Sequence, residues 1–388
     1  MIRRHIESEF FQLLGEYPIV TLLGPRQAGK TTFARQALPG YAYVNLEQPE
    51  IREFAQEDPK AFLAQFSGKV IFDEIQRVPD LLSYLQVAVD SRRDNGCYVL
   101  TGSHQLALRE AIAQSLAGRT AILHLLPFSI AELIENQFGF NRPEEYIYQG
   151  FLPRIYDQKQ RPTPAYSNYY QTYVERDVRQ LINLKDAAQF QKFMKLVAGR
   201  VGQLMDYSSL AGDVGVSATT VKYWLSILEA SFILYKLSPY FENFGKRVIK
   251  SPKYYFIDTG LLCFLLGIET PMQVARDPLI GQLFENLIVM DFIKNRYNRG
   301  KLDNVYFFRD SNGLEADLLY QQGRQLTPIE IKSSATYKPE LLKGLKRILE
   351  LSPQMANAHL IYAGEAMKFS NGINAIRFDQ LASAFGDE

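Results

Sequence analysis

A chain of 388 residues is longer than one hydrophobic core fills, so two or three domains are expected. With 47% apolar and 22% charged residues and no low-complexity stretch, the composition excludes an intrinsically disordered chain. A net charge of +1 excludes a general polyanion-attracting field, so any contact with DNA or other nucleic acid must come from local patches.

Cys97 and Cys263 lie far apart in apolar surroundings without paired spacing. That argues for buried thiols in a reducing compartment and against a disulfide scaffold or zinc site. The N-terminal MIRRHIESEF has no apolar core of the kind a signal peptide carries. The most hydrophobic segment, FIDTGLLCFLLGI, is too short to cross a bilayer and contains Asp258. A cytoplasmic protein without a membrane partner is expected.

Residues 1–165 alternate apolar runs, PIVTLLG, YAYVNLE, KVIFDEI, CYVLTGS and AILHLLPF, with helical patterns. Near-continuous apolar strands alternating with helices predict an α/β domain built on a parallel sheet covered on both faces. The loop after the first run, Gly24-Pro25-Arg26-Gln27-Ala28-Gly29-Lys30-Thr31 with Thr32 following, fits the phosphate-loop spacing and stands between a strand and a helix. Its glycines let backbone amides curl around phosphates, Lys30 would reach the β- and γ-phosphates, and the Thr31 hydroxyl would serve Mg²⁺.

KVIFDEIQ is an apolar strand ending in two acids, Asp73 to hold Mg²⁺ and Glu74 to orient the attacking water. A third strand, YVLTGSH, brings Thr101 and Ser103 as polar candidates beside the γ-phosphate. Arg119, before the fifth run, is a candidate arginine finger; acting in trans it would require a homo-oligomer.

The motifs GPRQAGKTT, FDEIQRVP, LTGSH and AGR…PFS, with YVERDV at 173–178 and IEIKSS near the end, together resemble the prokaryotic AAA+ ATPases that carry a C-terminal domain of unknown function. The resemblance spans nearly the whole chain. It implies an AAA+ fold for the first domain and ATP as its nucleotide.

Residues 166–270 are predicted to be mainly helical. Ser208 and Ser217 are candidate caps of two helices around a turn at Gly215, and Val221, Trp224, Leu225 and Leu228 stand at core spacing. Strand-like SFILYKLSPY and KYYFIDTG follow, which is the order of a winged helix-turn-helix. Its second helix offers only Lys222 to a nucleic acid. Lys246, Arg247, Lys250 and Lys253, interleaved with Phe244, Tyr254 and Tyr255, form a better basic patch in the wing, or else a solvated face.

Residues 271–388 start a second α/β pattern, a helix over LIGQLFENLIVMDFIKNRYN and then strands VYFFRDSN, LEADLLYQQ, QLTPIEIKSS and AHLIYAG. Alternate strand residues share a face, so Glu315 projects with Asp317, and Glu330 with Lys332. Carboxylates and a lysine meeting on adjacent strands can bind Mg²⁺ and steady phosphate charge, or form a plain salt bridge. The arrangement resembles the PD-(D/E)xK nuclease, restriction-endonuclease-like fold, with Ala316 where proline is usual. That resemblance implies Asp317, Glu330 and Lys332 as site residues and Glu285 on the preceding helix as a further metal ligand.

Two functions follow from these readings. One is an ATPase driving a nucleic-acid-processing, metal-dependent nuclease. The other is a nucleotide-dependent switch that binds a protein partner through a catalytically silent nuclease-like domain. Phosphate transfer to a small acceptor is disfavoured by Glu74 beside Asp73.

Overall fold

Five runs of the N-terminal region form strands of one sheet; the three central ones are buried on both faces, and the two edge strands are partly exposed. The computed structural model describes the chain apart from residues 1, 93, 104–107, 109–111, 113, 183–185, 241–249, 370–371 and 386–388. It divides into two units, one of Met1–Phe128, Ala230–Phe232 and Arg296–Lys301, the other of Ser129–Glu229, Ile233–Asn295 and Leu302–Glu388. Phe244, Lys246 and Arg247 of the basic patch lie outside the described residues.

In the first unit the strands are β1 (Ile19–Leu23), β2 (Ala42–Asn45), β3 (Val70–Asp73), β4 (Tyr98–Gly102) and β5 (Thr120–His124), ordered β2-β3-β4-β1-β5 and all parallel. Val20 and Leu22 face the helices Glu7–Glu16 and Lys30–Ala37, packing with Phe10, Leu14, Phe33 and Leu38. Phe10 and Phe33 meet edge to face at 5.1 Å. Phe72 packs its ring among Phe62, Phe66 and Tyr98 at about 6 Å, tilted against Phe62 and Tyr98 and edge to face with Phe66. Each fully buried ring contributes about 1.5–3 kcal/mol of apolar burial, which fixes β3 and β4 against their neighbours.

The second unit begins with short helices. Its long helical run contains a π-helical segment, Tyr170–Val178, that takes in all of YVERDV. Periodicity does not distinguish such a segment from an α-helix. Helices Tyr207–Val214 and Ala218–Ala230 flank a turn at Gly215, which adopts φ 87°. The Ser217 hydroxyl accepts from the Thr220 amide at 3.0 Å as expected. The cap of the first helix is Asp206 instead of Ser208: its carboxylate takes the amides of both Ser208 and Ser209, a stronger charge-assisted acceptor than a hydroxyl.

An antiparallel pair follows, β6 (Leu234–Leu237) and β7 (Lys253–Phe256). Asn286, on the helix Ile280–Tyr297, both donates to the Phe256 carbonyl (2.8 Å) and accepts its amide (2.7 Å), doing for β7 what a neighbouring strand would.

A mixed six-stranded sheet closes the unit: β8 (Val305–Arg309), β9 (Glu315–Gln322), β10 (Gln325–Lys332), β11 (Ala358–Tyr362), β12 (Met367–Lys368) and β13 (Ile373–Arg377), in the order β12-β13-β11-β10-β9-β8. β8, β9 and β10 are antiparallel, whereas β10, β11 and β13 run parallel. Pro328 is tolerated inside β10 because pairing with β11 begins only at Ile329. Cys97 and Cys263 are both buried, free thiols. Among the described residues no helix is long and apolar enough to cross a membrane.

Two predictions test this packing. A Cβ on Gly260 would stand 2.1 Å from the Tyr166 ring. Gly260→Ala is therefore expected to lower the thermal midpoint, at a cost of about 1–3 kcal/mol; an unchanged midpoint contradicts the packing. The second concerns Asp291, buried beside Glu132 and Lys294, whose carboxylate accepts the Ile130 amide at 2.7 Å. Burial pushes its pKa up from 3.8 to about 6. A carboxyl raised on folding adds stability at low pH that is lost as pH rises through the folded value. The wild type should therefore lose stability relative to Asp291→Asn between about pH 4 and about pH 7, by roughly 1–3 kcal/mol, in paired thermal melts.

Candidate nucleotide site and carboxylate cluster

The register aligns the carboxyl end of β1 with that of β4, Leu23 opposite Gly102, and Leu23 also lies opposite His124 of β5. Ligands of open α/β sheets bind at such ends. The Gly24 amide donates to the Gly102 carbonyl at 3.3 Å, which fixes where the phosphate loop starts. A Cβ at Gly24 would lie 2.0 Å from the Leu125 carbonyl oxygen, so only glycine fits there. Gln27 and Gly29 adopt left-handed backbone, φ 63° and 89°. Alternating handedness turns successive amides to one side and makes an anion-binding concavity, to which the helix beginning at Lys30 adds its dipole.

Pro25, Ala28 and Lys30 are buried, Arg26, Gln27, Gly29 and Thr31 are half-buried, and Thr32 is exposed on the first helical turn. The Lys30 ammonium donates to the carbonyls of Gly24 (2.9 Å) and Pro25 (2.8 Å). Burial lowers its pKa to about 8, against the pull of Glu74 and Asp73. Arg26 and Arg77 both reach Glu47 Oε1, at 3.5 and 3.4 Å.

Asp73, at the end of β3, collects three hydroxyls. Thr31 Oγ1 lies 2.9 and 3.0 Å from its two oxygens, Tyr43 donates at 2.8 Å, and Thr101 also donates. Burial and then Asp73 itself push the Tyr43 phenol well up, so it stays a donor. The next residue, Glu74, is held at φ 59°, ψ 47° with its amide on Thr101 Oγ1 at 3.2 Å. Non-glycine residues in this region cost about 1–3 kcal/mol, and strain of this kind concentrates at functional sites. The Glu74 carboxylate accepts from Ser103 Oγ (3.1 Å) and from Gln76 Nε2, which also donates to Ser103 (3.1 Å). Lys30, Thr31, Asp73, Glu74, Thr101 and Ser103 are thus brought together.

Arg119 is not with them. It precedes β5, and Thr120 pairs with Ile19 at the amino end of β1, five residues or roughly 17 Å from the phosphate loop. Its guanidinium is bound to Asp90 at 2.6 and 2.8 Å. A cis contact with this chain's own nucleotide is therefore ruled out for Arg119.

Sequence reading missed Arg4. It is buried, donates to the carbonyls of Ala28 (3.0 Å) and Leu126 (2.7 Å) and covers the Phe128 ring at 4.7 Å, so it braces the phosphate loop from outside. Tyr43 and Gln76 were missed as well. Nothing in local spacing marks any of the three.

In the second unit, Glu285, Glu315, Asp317, Glu330 and Lys332 lie in one network of ion pairs, joined by Lys253. Lys253 was expected in a basic wing. It is instead buried, with its ammonium 3.0 Å from Glu285 Oε1 and 2.8 Å from Glu315 Oε1. Tyr255 also donates to Glu285. Pairing of β9 with β10 reaches Ile329 opposite Leu318. Beyond that point Asp317 Oδ2 accepts the Ile331 amide at 2.7 Å. Lys332 bonds Glu330 at 2.6 Å and lies 3.5 Å from Asp317. Burial first, and then Asp317, push Glu285 and Glu330 up to about 7.

The metal set expected from Glu285, Asp317 and Glu330 is not assembled. Among the described residues no group of three or more His, Cys, Asp or Glu is arranged to hold a metal ion, because these oxygens are turned toward ammonium and amide donors. The basic patch also loses Lys253. Lys222 lies over the Tyr207 ring at 5.0 Å, and Lys250 is exposed.

Residues 16–134 match the family described as an AAA domain. Residues 141–272 and 280–381 match two domains of unknown function, DUF8612 and DUF4143. An uncharacterized protein of Mycobacterium tuberculosis is 29% identical over 98% of this chain and 84% of its own length. One from Haemophilus influenzae is 25% identical over 74% and 77%. Among solved structures, a Walker-type ATPase of Pyrococcus abyssi is 15% identical, with 68% of this chain and 96% of that one covered and a TM-score of 0.47. The family match and the cradle at the end of β1 support an AAA-type P-loop ATPase domain in the N-terminal region of this chain.

Proposed function

We propose that the protein is a Mg-ATP-hydrolysing switch whose C-terminal unit binds a partner without cutting it. The observation that carries the ATP reading is the gathering of Thr31, Tyr43 and Thr101 on the Asp73 carboxylate beside the phosphate loop. Thr31 and Asp73 are hard oxygen donors within hydrogen-bond reach of each other, a pair that fits Mg²⁺, which otherwise keeps waters and nucleotide phosphates as ligands. The ion would neutralise phosphate charge. Lys30 binds the β- and γ-phosphates, and loop amides after Pro25 orient them. Glu74, its carboxylate steered by Ser103 and Gln76, holds the attacking water in line and takes its proton.

For the C-terminal unit, the buried Lys253 and the paired Lys332 favour docking over cleavage at Asp317, Glu330 and Lys332. Nucleic-acid binding through a winged helix has less support, with Lys253 withdrawn from the surface.

Steady-state hydrolysis and equilibrium binding of ATP by the full chain test both halves. Lys30→Ala is expected to lose binding and turnover together. Glu74→Gln should keep ATP binding while turnover falls by about 10²-fold or more; wild-type turnover in that variant would remove Glu74 from the mechanism. The wild type should leave DNA and RNA intact in Mg²⁺ or Mn²⁺. Cleavage that disappears in Asp317→Ala would replace the docking reading with a nuclease.

A further inference from the structure

Lys253 occupies a position for which neither the nuclease resemblance nor a surface wing accounts. Its side chain is 4% exposed, and its ammonium bridges Glu285 of the helix Ile280–Tyr297 to Glu315 of β9. Its backbone is held on both sides, by Leu237 of β6 and by an isolated antiparallel bridge to Leu204. The root of the side chain is therefore fixed, and its ammonium lies buried between the two carboxylates. Across the same cluster, Lys332 spans Glu330 and Asp317, and Arg309 bonds Glu315 at 3.0 Å. Four carboxylates thus face two ammonium groups and a guanidinium, and charge is nearly balanced within the protein.

A divalent cation needs several oxygens converging at about 2.0–2.6 Å. To gather them here it would have to displace a buried ammonium and leave that charge unpaired and desolvated. We infer that Lys253 is a built-in counter-cation that takes the place of a metal among Glu285, Glu315 and Asp317 and closes this cluster to divalent ions. The disagreement with the nuclease pattern is then specific: the acids and Lys332 are present, and a second lysine fills the space between the acids.

The inference deepens the docking reading of the C-terminal unit and is independent of the phosphate loop. Its test is a titration of the full, nucleotide-free chain with Mn²⁺, reading free metal by electron paramagnetic resonance. Wild type and Lys253→Arg are expected to show no site at this cluster tighter than ~1 mM. Lys253→Met should gain affinity by about tenfold or more, and adding Asp317→Asn should remove the gain. Tighter Mn²⁺ binding by the wild type that Asp317→Asn abolishes overturns the inference, and so does a folded Lys253→Met without any gain. Should Lys253→Met fail to fold, the comparison of wild type with Asp317→Asn decides the matter. With no nucleotide present, an error in the ATP reading leaves this result unchanged and shows only in turnover.

Discussion

The buried carboxylate of Asp73 is the constraint on which the candidate nucleotide site depends. A charged group at the end of a fully buried strand is stable only if its oxygens are satisfied. Here the partners come from three directions: Thr31 from the phosphate-loop helix, Tyr43 from β2 and Thr101 from β4. That demand fixes the helix start, the strand ends and the conformation of Glu74 at once. The sheet order puts β4 between β1 and β3, so Thr101 can serve Asp73 while Gly102 anchors the loop through Gly24.

The carboxylate cluster of the second unit solves a similar problem by other means. Asp73 is satisfied by neutral hydroxyls, which leave its negative charge available to a cation. Glu285, Glu315, Asp317 and Glu330 are each paired with a lysine or an arginine as well, which offsets most of that charge. Acids near the ends of adjacent elements can therefore look alike in sequence and differ in chemistry, according to whether the donors that satisfy them are neutral or charged.

Much of this was legible in the residues. Strands of a parallel sheet are buried on both faces, so β1, β3 and β4 appear as unbroken apolar runs, and the loop and acid pair are contiguous motifs needing no tertiary information. What escaped depends on distance or on competition. Arg4 braces a loop residue 24 positions away and a carbonyl 122 positions away. Asp206 and Ser208 compete for one helix start, and the charged acceptor wins. Lys253 sits in a basic run, and a lysine there has the same letters whether it faces water or three acids. Arg119 is different: a residue preceding a parallel strand lies at the amino edge of the sheet, away from the phosphates, so chain order alone could have excluded its cis contact.

Hydrogen exchange of backbone amides probes the central claim, that the Gly24–Thr32 loop and Asp73 together grip one nucleotide triphosphate. On addition of Mg-ATP, amides of the loop and of the first turn after Lys30 are expected to exchange about tenfold more slowly or better, with β11 and β13 unaffected. Exchange that is unchanged throughout the loop at saturating Mg-ATP would contradict the account.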